Sequence, residues 1–218
     1  MKLIFKVIVL LMNFVVVGAV VVPKKEFSVL FIGNSFTKAN RMPQKFKKLA
    51  KRNNIKVRVG KVVHGSATWS AHVQLYGAIE KILERNWTVV IFQEQSQFLS
   101  YTSNFYSVQS LPFIRSLNDA VQTLNNSTTL LYETFAYKYG NGEQDTYDKM
   151  QCRILKGYTT ISKLLHGRVE ISYVGEEWKK KVSTIELYKS DGKHPNKNGS
   201  WIIAKTLFNS FYNIINKN

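Results

Sequence analysis

Leu30-Phe31-Ile32-Gly33-Asn34-Ser35-Phe36-Thr37 is the stretch of this 218-residue chain that decides the fold. The run 27–32 is predominantly apolar, is too short for a buried helix and stops at Gly33, and these features predict a strand that is covered on both faces. In open parallel sheets, ligands lie beyond the carboxyl ends of the strands. We therefore predict that the Ser35 hydroxyl, two residues past the strand end, points into a ligand-binding crevice.

A second polar segment, Asp191-Gly192-Lys193-His194-Pro195, precedes the last apolar helical pattern. It matters because Gly-Asn-Ser by itself is also typical of an ordinary turn. A serine hydroxyl becomes a good nucleophile only when a base removes its proton, and an imidazole is an effective base when a carboxylate fixes its tautomer. Ser35, His194 and Asp191 are therefore the candidate nucleophile, base and orienting carboxylate.

Strand patterns alternate with helical patterns along the chain, and this alternation predicts a three-layer α/β/α sandwich with a mostly parallel sheet. Strands are predicted at 27–32, 55–63, 87–92, 129–135 and 169–174, the second of them near an edge of the sheet. Helices are predicted after Pro43, at 69–85, 107–124 and 145–166, and after His194. Residues 27–215 are enough for one domain with a sizeable core and include no repeat or low-complexity linker.

These blocks resemble, in their order and spacing, the SGNH (GDSL-type) hydrolase superfamily, and more closely a little-characterised branch with Gly-Asn-Ser-Phe and Asp-Gly-x-His-Pro motifs. Gly65 after the second strand and the amide cluster 93–97 after the third complete the match, which spans roughly residues 27–212. The resemblance implies a flavodoxin-like five-stranded sheet of order 2-1-3-4-5. It also implies hydrolysis of a carboxylic ester, an acylated carbohydrate or another small ester, through an acyl-serine intermediate.

An oxyanion hole is a further implication of the resemblance, formed by the backbone N–H groups of Ser35 and Gly65 and by a side-chain amide after the third strand. Typical members have Asn in that third position, whereas this chain has none there. Gln95 is the nearest counterpart and Gln93 is the alternative, because each carries an amide donor on one extra methylene. The reaction needs no metal or organic cofactor.

Three further residues are candidates for substrate binding. Asn34 stands beside the nucleophile in the same motif, and Tyr137 belongs to the aromatic loop 136–142, which could stack on a sugar ring, shape an acyl pocket or simply cover the core. His72 occupies a position that is often His in the resembling family, which implies a role on the substrate side. A single His on a helix is otherwise more often structural.

The composition is strongly basic, with a formal net charge of +17. Such an excess favours anionic partners, for example an acidic polysaccharide or a membrane surface. Nucleic acid is not expected, because the lysines are spread over many segments and no recognised binding motif appears among them. Two other functions on the same fold stay open, namely a non-catalytic glycan-binding protein and an acyltransferase.

Residues 1–22 combine two lysines with a long apolar run and the small residues Gly18 and Ala19, a pattern typical of a secretory signal peptide. An uncleaved membrane anchor is the alternative, because an apolar stretch of about 20 residues can also span a bilayer. Either interpretation predicts that the folded part lies outside the cytosol. The single cysteine, Cys152, excludes an intrachain disulfide, and its helical surroundings predict a packed thiol.

Overall fold

Five parallel strands form the central sheet, in the order β2-β1-β3-β4-β5. They are β1 (Glu26–Gly33), β2 (Lys56–Val63), β3 (Val89–Phe92), β4 (Thr128–Tyr132) and β5 (Val169–Ser172). This computed structural model describes residues 25–217, and the predicted signal peptide or anchor at 1–22 lies outside them. The predicted α/β sandwich and its strand order are confirmed, and β2 is an edge strand as its alternating pattern predicted.

Helices fill the connections between the strands and follow the last of them. Within the described residues they are α1 (Ser35–Lys38), α2 (Met42–Arg52), α3 (Trp69–Gln74), α4 (Ala78–Leu83), α5 (Ser103–Gln109), α6 (Leu111–Gln122), α7 (Tyr147–Ser162), α8 (Val174–Lys179) and α9 (Lys197–Lys217). The helix predicted at 69–85 is divided at Gly77, whose φ of +59° suits glycine and ends the helical path. The helix predicted at 107–124 is likewise divided at Ser110, just before Pro112.

The helices cover both faces of the sheet. The chain crosses from β1 to β2 in one direction and from β2 towards β5 in the other, so right-handed crossovers place α2 on one face and α3, α6 and α7 on the other. On the α2 face, the ring of Phe46 lies 5.3 Å from that of Phe31 and 5.4 Å from that of Phe211 in α9. On the other face, Trp69 meets Tyr158 edge to face.

Strand β1 lies in the middle of this core because it pairs with a neighbour on each side and is covered above and below. Residues 29–32 of β1 are at most 1% exposed. Full burial of one such aliphatic or aromatic side chain contributes about 1.5–3 kcal/mol. The end of β1 is therefore a rigid platform for the residues that follow it.

The carboxyl ends of the strands lie at nearly the same level. The register pairs Gly33 with Val63 and Ile32 with Phe92. Loops that start at residues 34, 64, 93 and 133 consequently leave the same edge of the sheet, which is where ligands bind in open parallel sheets.

Residues 25–217 include no helix with both the length and the apolar character that crossing a membrane demands.

Cys152 is exposed, so the prediction of a packed thiol is wrong. The reason is its position on α7, which buries a stripe of residues that includes Met150 and Ile154 and leaves Cys152 on the solvent side.

Candidate active site

Buried amide side chains hold the turn that follows β1. Asn34 caps α1, because its Oδ1 accepts a hydrogen bond from the Phe36 N–H at 3.2 Å. The Asn34 N–H donates to Oε1 of Gln93 at 3.0 Å, and the Thr37 hydroxyl donates to the same oxygen at 2.9 Å. Ser35 is thereby fixed as the first residue of α1, and its own N–H has no acceptor among residues 25–217.

Ser35, His194 and Asp191 form a continuous chain of hydrogen bonds. Oγ of Ser35 lies 3.0 Å from Nε2 of His194, and Nδ1 of His194 lies 2.6 Å from Oδ2 of Asp191. The other Asp191 oxygen accepts from the backbone N–H groups of Lys193 and His194, both at 2.9 Å. The three side chains that the sequence proposes as nucleophile, base and orienting carboxylate are thus brought together.

The charge of Asp191 follows from these contacts. Desolvation works to raise the pKa of Asp191, but the hydrogen bonds from the His194 and Lys193 backbone N–H groups and from the His194 ring lower it to about 2. The carboxylate is therefore ionised at neutral pH and keeps a proton on Nδ1 of His194. Nε2 is left as the acceptor that faces the Ser35 hydroxyl.

The loop that carries His194 is a short antiparallel hairpin. Tyr188 bridges to Pro195, and the Lys189 N–H donates to the His194 carbonyl at 2.8 Å. Gly192 turns the chain at its tip with a φ of +65°, in the left-handed region that favours glycine. Backbone hydrogen bonds therefore fix the position of the base.

Stacked aromatic rings support the His194 imidazole from below. Trp178 stacks on Phe135 with 3.6 Å between ring centroids, Phe135 stacks on Phe36 at 4.7 Å, and Phe36 meets the His194 ring edge to face at 5.5 Å. We call the rings of Trp178, Phe135 and Phe36 the aromatic column. Aromatic pairs of this kind contribute about 0.5–1.5 kcal/mol beyond their buried area, so the column restrains the imidazole in addition to its hydrogen bonds.

Asn40 joins the nucleophile side of the site to the base side. Its Nδ2 donates to the Pro195 carbonyl at 2.9 Å and to the Ser200 hydroxyl at 2.8 Å. Its φ of 48° is tolerated by asparagine more readily than by most residues. Sequence reasoning missed both Asn40 and the aromatic column. The sequence signals for them are weak, namely an asparagine after the α1 segment and aromatic residues beside Ser35 and after β4.

Gln95 lines the cavity beside Ser35. Its Oε1 accepts from the Gln97 N–H at 2.9 Å, and its side chain also faces the Tyr137 hydroxyl. An amide has two N–H donors, so one of them is available to an oxyanion in the cavity even when the other bonds to Tyr137.

Gln93, the alternative oxyanion donor, is fully buried and does not line that cavity. Its Oε1 holds the Asn34 N–H, and its Nε2 donates to the Glu94 carbonyl. The geometry therefore favours Gln95 as the donor and makes Gln93 a residue that positions the nucleophile turn.

The turn after β2 presents Ser66, not Gly65, to the cavity. Gly65 is exposed, its φ is outside the left-handed region, and a Cβ built on it would meet no atom within 4 Å. Ser66 takes the left-handed conformation, with a φ of 55°. Neither the Gly65 N–H nor the Ser66 N–H has an acceptor in the described part of the chain, so this turn offers two unpaired donors. Of these two residues, only Ser66 lines the cavity.

Two cavities meet at Ser35 and His194. The first has a volume of about 90 Å³ and is lined by Asn34, Ser35, Phe36, Ser66, Gln95, Ser96, Tyr137, Lys193 and His194. The second, of about 310 Å³, is more open and is lined by Ser35, Lys38, Ala39, Lys189 and His194. A larger cavity of about 420 Å³, lined in part by Trp87 and Asn126, is at the opposite edge of the sheet and includes neither member of the Ser35–His194 pair.

The three residues predicted to bind substrate have different positions. Tyr137 lines the first cavity, and its hydroxyl lies 2.6 Å from that of Ser96. Asn34 contributes to the same lining but is only 2% exposed, and its Nδ2 is occupied by the Ala67 carbonyl at 3.0 Å. It therefore shapes the cavity wall through hydrogen bonds to the protein.

His72 is fully enclosed and lines neither cavity, which corrects the prediction that it lies on the substrate side. Its Nε2 lies 3.0 Å from the Gly33 carbonyl. Burial lowers the pKa of His72 to about 4 despite the opposing effect of this carbonyl. The imidazole is neutral at pH 7, so Nε2 carries the proton and donates to the end of β1.

Glu94 is buried behind Gln95 and holds two neighbouring turns together. Its Oε1 accepts from the Gln95 N–H at 2.7 Å and from the Trp69 N–H at 2.9 Å. The Ser110 hydroxyl lies near the same carboxyl group. Burial raises the pKa of Glu94 to about 7, against the lowering effect of the two N–H groups. The carboxyl thus changes charge near neutral pH without contacting the cavity.

This pKa predicts a dependence of stability on pH. The unfolded chain releases the Glu94 proton near pH 4.5 and the folded chain near pH 7, so the folded state binds more protons between these values. The free energy of unfolding therefore falls as pH rises through this window. Glu94→Gln keeps an acceptor for both N–H groups and cannot ionise, so we expect urea unfolding to show that it is more stable than the wild type at pH 8 and close to it at pH 5.

Glu143→Gln, which removes an exposed carboxylate, is the control for that measurement. A smaller slope persists in Glu94→Gln, because burial also raises the pKa of Glu133, to about 8. If the free energies of unfolding of wild type and Glu94→Gln differ by the same amount at both pH values, the pH dependence does not come from Glu94.

No protein-family model and no curated protein gives a significant match to this sequence. Among solved structures, a protein from Slackia heliotrinireducens that is assigned to the SGNH hydrolases superposes with a TM-score of 0.71 at 24% identity, covering 86% of this chain and 100% of that one. A carbohydrate esterase of family 3 from Talaromyces cellulolyticus gives 0.66 at 11% identity, with 88% and 99% covered. A variant of the acetyl xylan esterase Axe2 from Geobacillus stearothermophilus gives 0.60 at 16%, with 84% and 93% covered. The chain therefore has the fold of the SGNH hydrolases.

Proposed function

We propose that this chain is a secreted serine esterase that hydrolyses a carboxylic ester through an acyl-serine intermediate. The observation that carries the proposal is the hydrogen-bonded chain from Ser35 through His194 to Asp191, with unpaired N–H donors beside it. The likeness of the fold to esterases supports the reaction class. Since two of the similar structures are of carbohydrate-active esterases, an acylated carbohydrate is the favoured substrate class.

Acylation begins when the Ser35 oxygen attacks the ester carbonyl carbon. His194 Nε2 takes the Ser35 proton during the attack, and ionised Asp191 stabilises the imidazolium that results. The carbonyl oxygen becomes an oxyanion, which the Ser35 N–H, an N–H of the turn 65–66 and the Gln95 amide stabilise. His194 then gives its proton to the alcohol oxygen as the carbon–oxygen bond breaks, and the acyl group stays on Ser35.

Deacylation repeats these steps with water in place of the alcohol. His194 removes a proton from the water as its oxygen attacks the acyl carbon. The second tetrahedral intermediate uses the same donors, and its collapse returns the proton from His194 to the Ser35 oxygen. A carboxylic acid leaves and the enzyme regains its starting state.

The first test of the proposal is the removal of the nucleophile and the base. We expect purified wild type to hydrolyse p-nitrophenyl acetate, and Ser35→Ala and His194→Ala each to lose at least about 10³-fold in kcat, because neither residue acts without the other. Ser116→Ala and His166→Ala, at exposed positions, are the matched controls and should retain full activity. A fluorophosphonate probe should label wild type and not Ser35→Ala.

A folded wild type that neither turns over the ester nor reacts with the probe would overturn the esterase proposal and leave the glycan-binding alternative. Transfer of the acyl group to an added sugar in preference to water would favour the acyltransferase. Both alternatives use the same fold, and the acyltransferase also uses the same acyl-serine step.

The Gln95 amide can be separated from its role in the loop. Gln95→Ala removes both the donor and the acceptor of the Gln97 N–H, whereas Gln95→Glu keeps that acceptor and lacks the N–H. If the donor stabilises the oxyanion, both variants should lose about 10²–10³-fold in kcat with a small change in KM. Recovery of activity in Gln95→Glu would assign Gln95 a structural role alone, and thermal unfolding of each variant checks the fold.

The first cavity limits the size of the acyl group. It is lined by Ser35, Ser66 and Gln95, which carry donors of the proposed oxyanion hole, so we place the acyl carbonyl there, and its volume is about 90 Å³. For comparison, an apolar cavity of about 150 Å³ in another protein accommodates benzene, a group of six carbon atoms. The space therefore suits an acetyl group or one slightly longer.

We expect kcat/KM for p-nitrophenyl acetate to exceed that for the hexanoate by at least about tenfold. A higher rate on the shorter ester is informative, because in an unrestricted apolar site each added methylene favours binding by about 0.8 kcal/mol. Tyr137→Ala should enlarge the cavity and raise relative activity on hexanoate, whereas Tyr139→Ala, at an exposed position of the same loop, should not. Equal rates on both esters in wild type would contradict the size limit.

Location outside the cytosol is part of the proposal and rests on the apolar, lysine-flanked segment 1–22. An uncleaved anchor would keep the same catalytic part at a membrane surface. The net charge of +17 supports contact with anionic polysaccharide or anionic lipid in either case.

A further inference from the structure

The second cavity at Ser35 and His194 is the space left for the alcohol half of the ester once the acyl half is assigned to the first. His194 has to protonate the alcohol oxygen as it leaves, so this oxygen lies on the His194 side of the acyl carbon. The first cavity is lined by Gln95 and is the place proposed above for a short acyl group. The second, about 310 Å³ in volume, shares only Ser35 and His194 with it and opens to solvent, as a large alcohol requires.

Two lysines contribute to the walls of this second cavity. Apart from the catalytic pair and Ala39, its lining consists of Lys38 and Lys189, both of which are exposed. It offers no carboxylate, amide or hydroxyl other than that of Ser35. A neutral sugar is normally held by such uncharged hydrogen-bonding groups, so this lining is unusual for a neutral alcohol.

Neither lysine is neutralised by a protein carboxylate. Among residues 25–217, the ion pairs include neither Lys38 nor Lys189. The two acidic groups close in sequence to Lys189 are engaged elsewhere, Asp191 with His194 and Glu186 with Lys138. Two lysines without an ion-pair partner in the described part of the chain therefore border the space that the alcohol would occupy.

The positions of these charges are tied to the catalytic pair. Lys38 follows Ser35 by one turn of α1, so the two side chains are neighbours on one face of that helix. The Lys189 N–H donates to the His194 carbonyl at 2.8 Å. One lysine is thus attached to the element that carries the nucleophile and the other to the hairpin that carries the base.

We propose that the alcohol half of the substrate is anionic, an acidic sugar residue whose carboxylate or sulfate lies between Lys38 and Lys189. This inference rests on the proposed esterase function and narrows its substrate class. The general basic charge of the chain does not explain it, because the argument depends on where these two lysines lie.

The test compares two acetyl esters of the same shape. 4-Acetoxybenzoate has an anionic alcohol half, and 4-acetoxybenzamide has a neutral one. We expect wild type at low salt to show a kcat/KM about tenfold higher for the anionic ester, and this preference should fall as salt is added. Lys38→Gln/Lys189→Gln should bring the ratio of the two rates close to one while the amide ester is still hydrolysed.

Lys51→Gln/Lys163→Gln is the matched control, since it removes two exposed lysines at the far ends of α2 and α7 and gives the same net charge. It should keep the wild-type preference. Acetylated glucuronate and acetylated glucose then repeat the comparison on sugars.

The outcomes separate the two proposals. Hydrolysis of both esters at similar rates in wild type, or a preference that the Lys38/Lys189 pair does not change, overturns the anionic alcohol and leaves the esterase intact. If the control pair loses the preference for the anionic ester as much as the Lys38/Lys189 pair does, the preference comes from overall charge, and the inference is also overturned. Absence of hydrolysis of either ester, with Ser35 unlabelled by the fluorophosphonate, refutes the esterase itself.

Discussion

The hydrogen bonds of one buried amide, that of Gln93, connect the first and third strands at the point where the chemistry is proposed to occur. Its Oε1 receives the Asn34 N–H and the Thr37 hydroxyl, so the nucleophile turn is anchored to the neighbouring strand end. The fit leaves no room for a side chain at Gly33, where a Cβ would lie 2.5 Å from Oγ1 of Thr37 and 2.8 Å from Oε1 of Gln93. The direction of the Ser35 side chain depends on this tight arrangement.

A layer of buried polar groups continues from this amide along the strand ends. Glu94 joins the turns after β2 and β3, and Glu133 accepts from the Gly175 N–H at 2.7 Å to hold the start of α8. Burying carboxyl groups is costly unless hydrogen bonds compensate them, and here burial raises the pKa of both. Ionisation of these two carboxyl groups therefore opposes folding as pH rises, while their hydrogen bonds hold the turns after β2 and β3 and the start of α8 in place.

The sequence was informative where local pattern determines structure. Apolar runs bounded by turn residues located all five strands, and the resemblance supplied their order. The predicted end of the fourth strand at residue 135 is three residues too late. The Glu133 N–H still donates to the Ser172 carbonyl of β5, but the Glu133 carbonyl accepts from Gly175 at the start of α8, so the strand pairing stops there. Periodicity alone also could not detect the left-handed Gly77 that divides the helix predicted at 69–85.

The candidate site shows a similar division. Ser35, Asp191 and His194 could be proposed because each belongs to a compact motif. The choice between Gln93 and Gln95 could not be made, since both are amides in one turn and only the three-dimensional path shows which is enclosed. Contacts between distant segments, such as the stacking of Phe135 on Phe36 and Trp178, leave no local trace in the sequence.

Asp191 and His194 belong to one hairpin, so the proposed site depends on the position of that single loop. Because base and carboxylate belong to one rigid loop, any displacement of that loop withdraws both from Ser35 together. What remains is an ordinary alcohol, which is a weak nucleophile at neutral pH. Displacement of this one loop is therefore expected to remove the base and its carboxylate in a single step, and with them most of the nucleophilicity of Ser35.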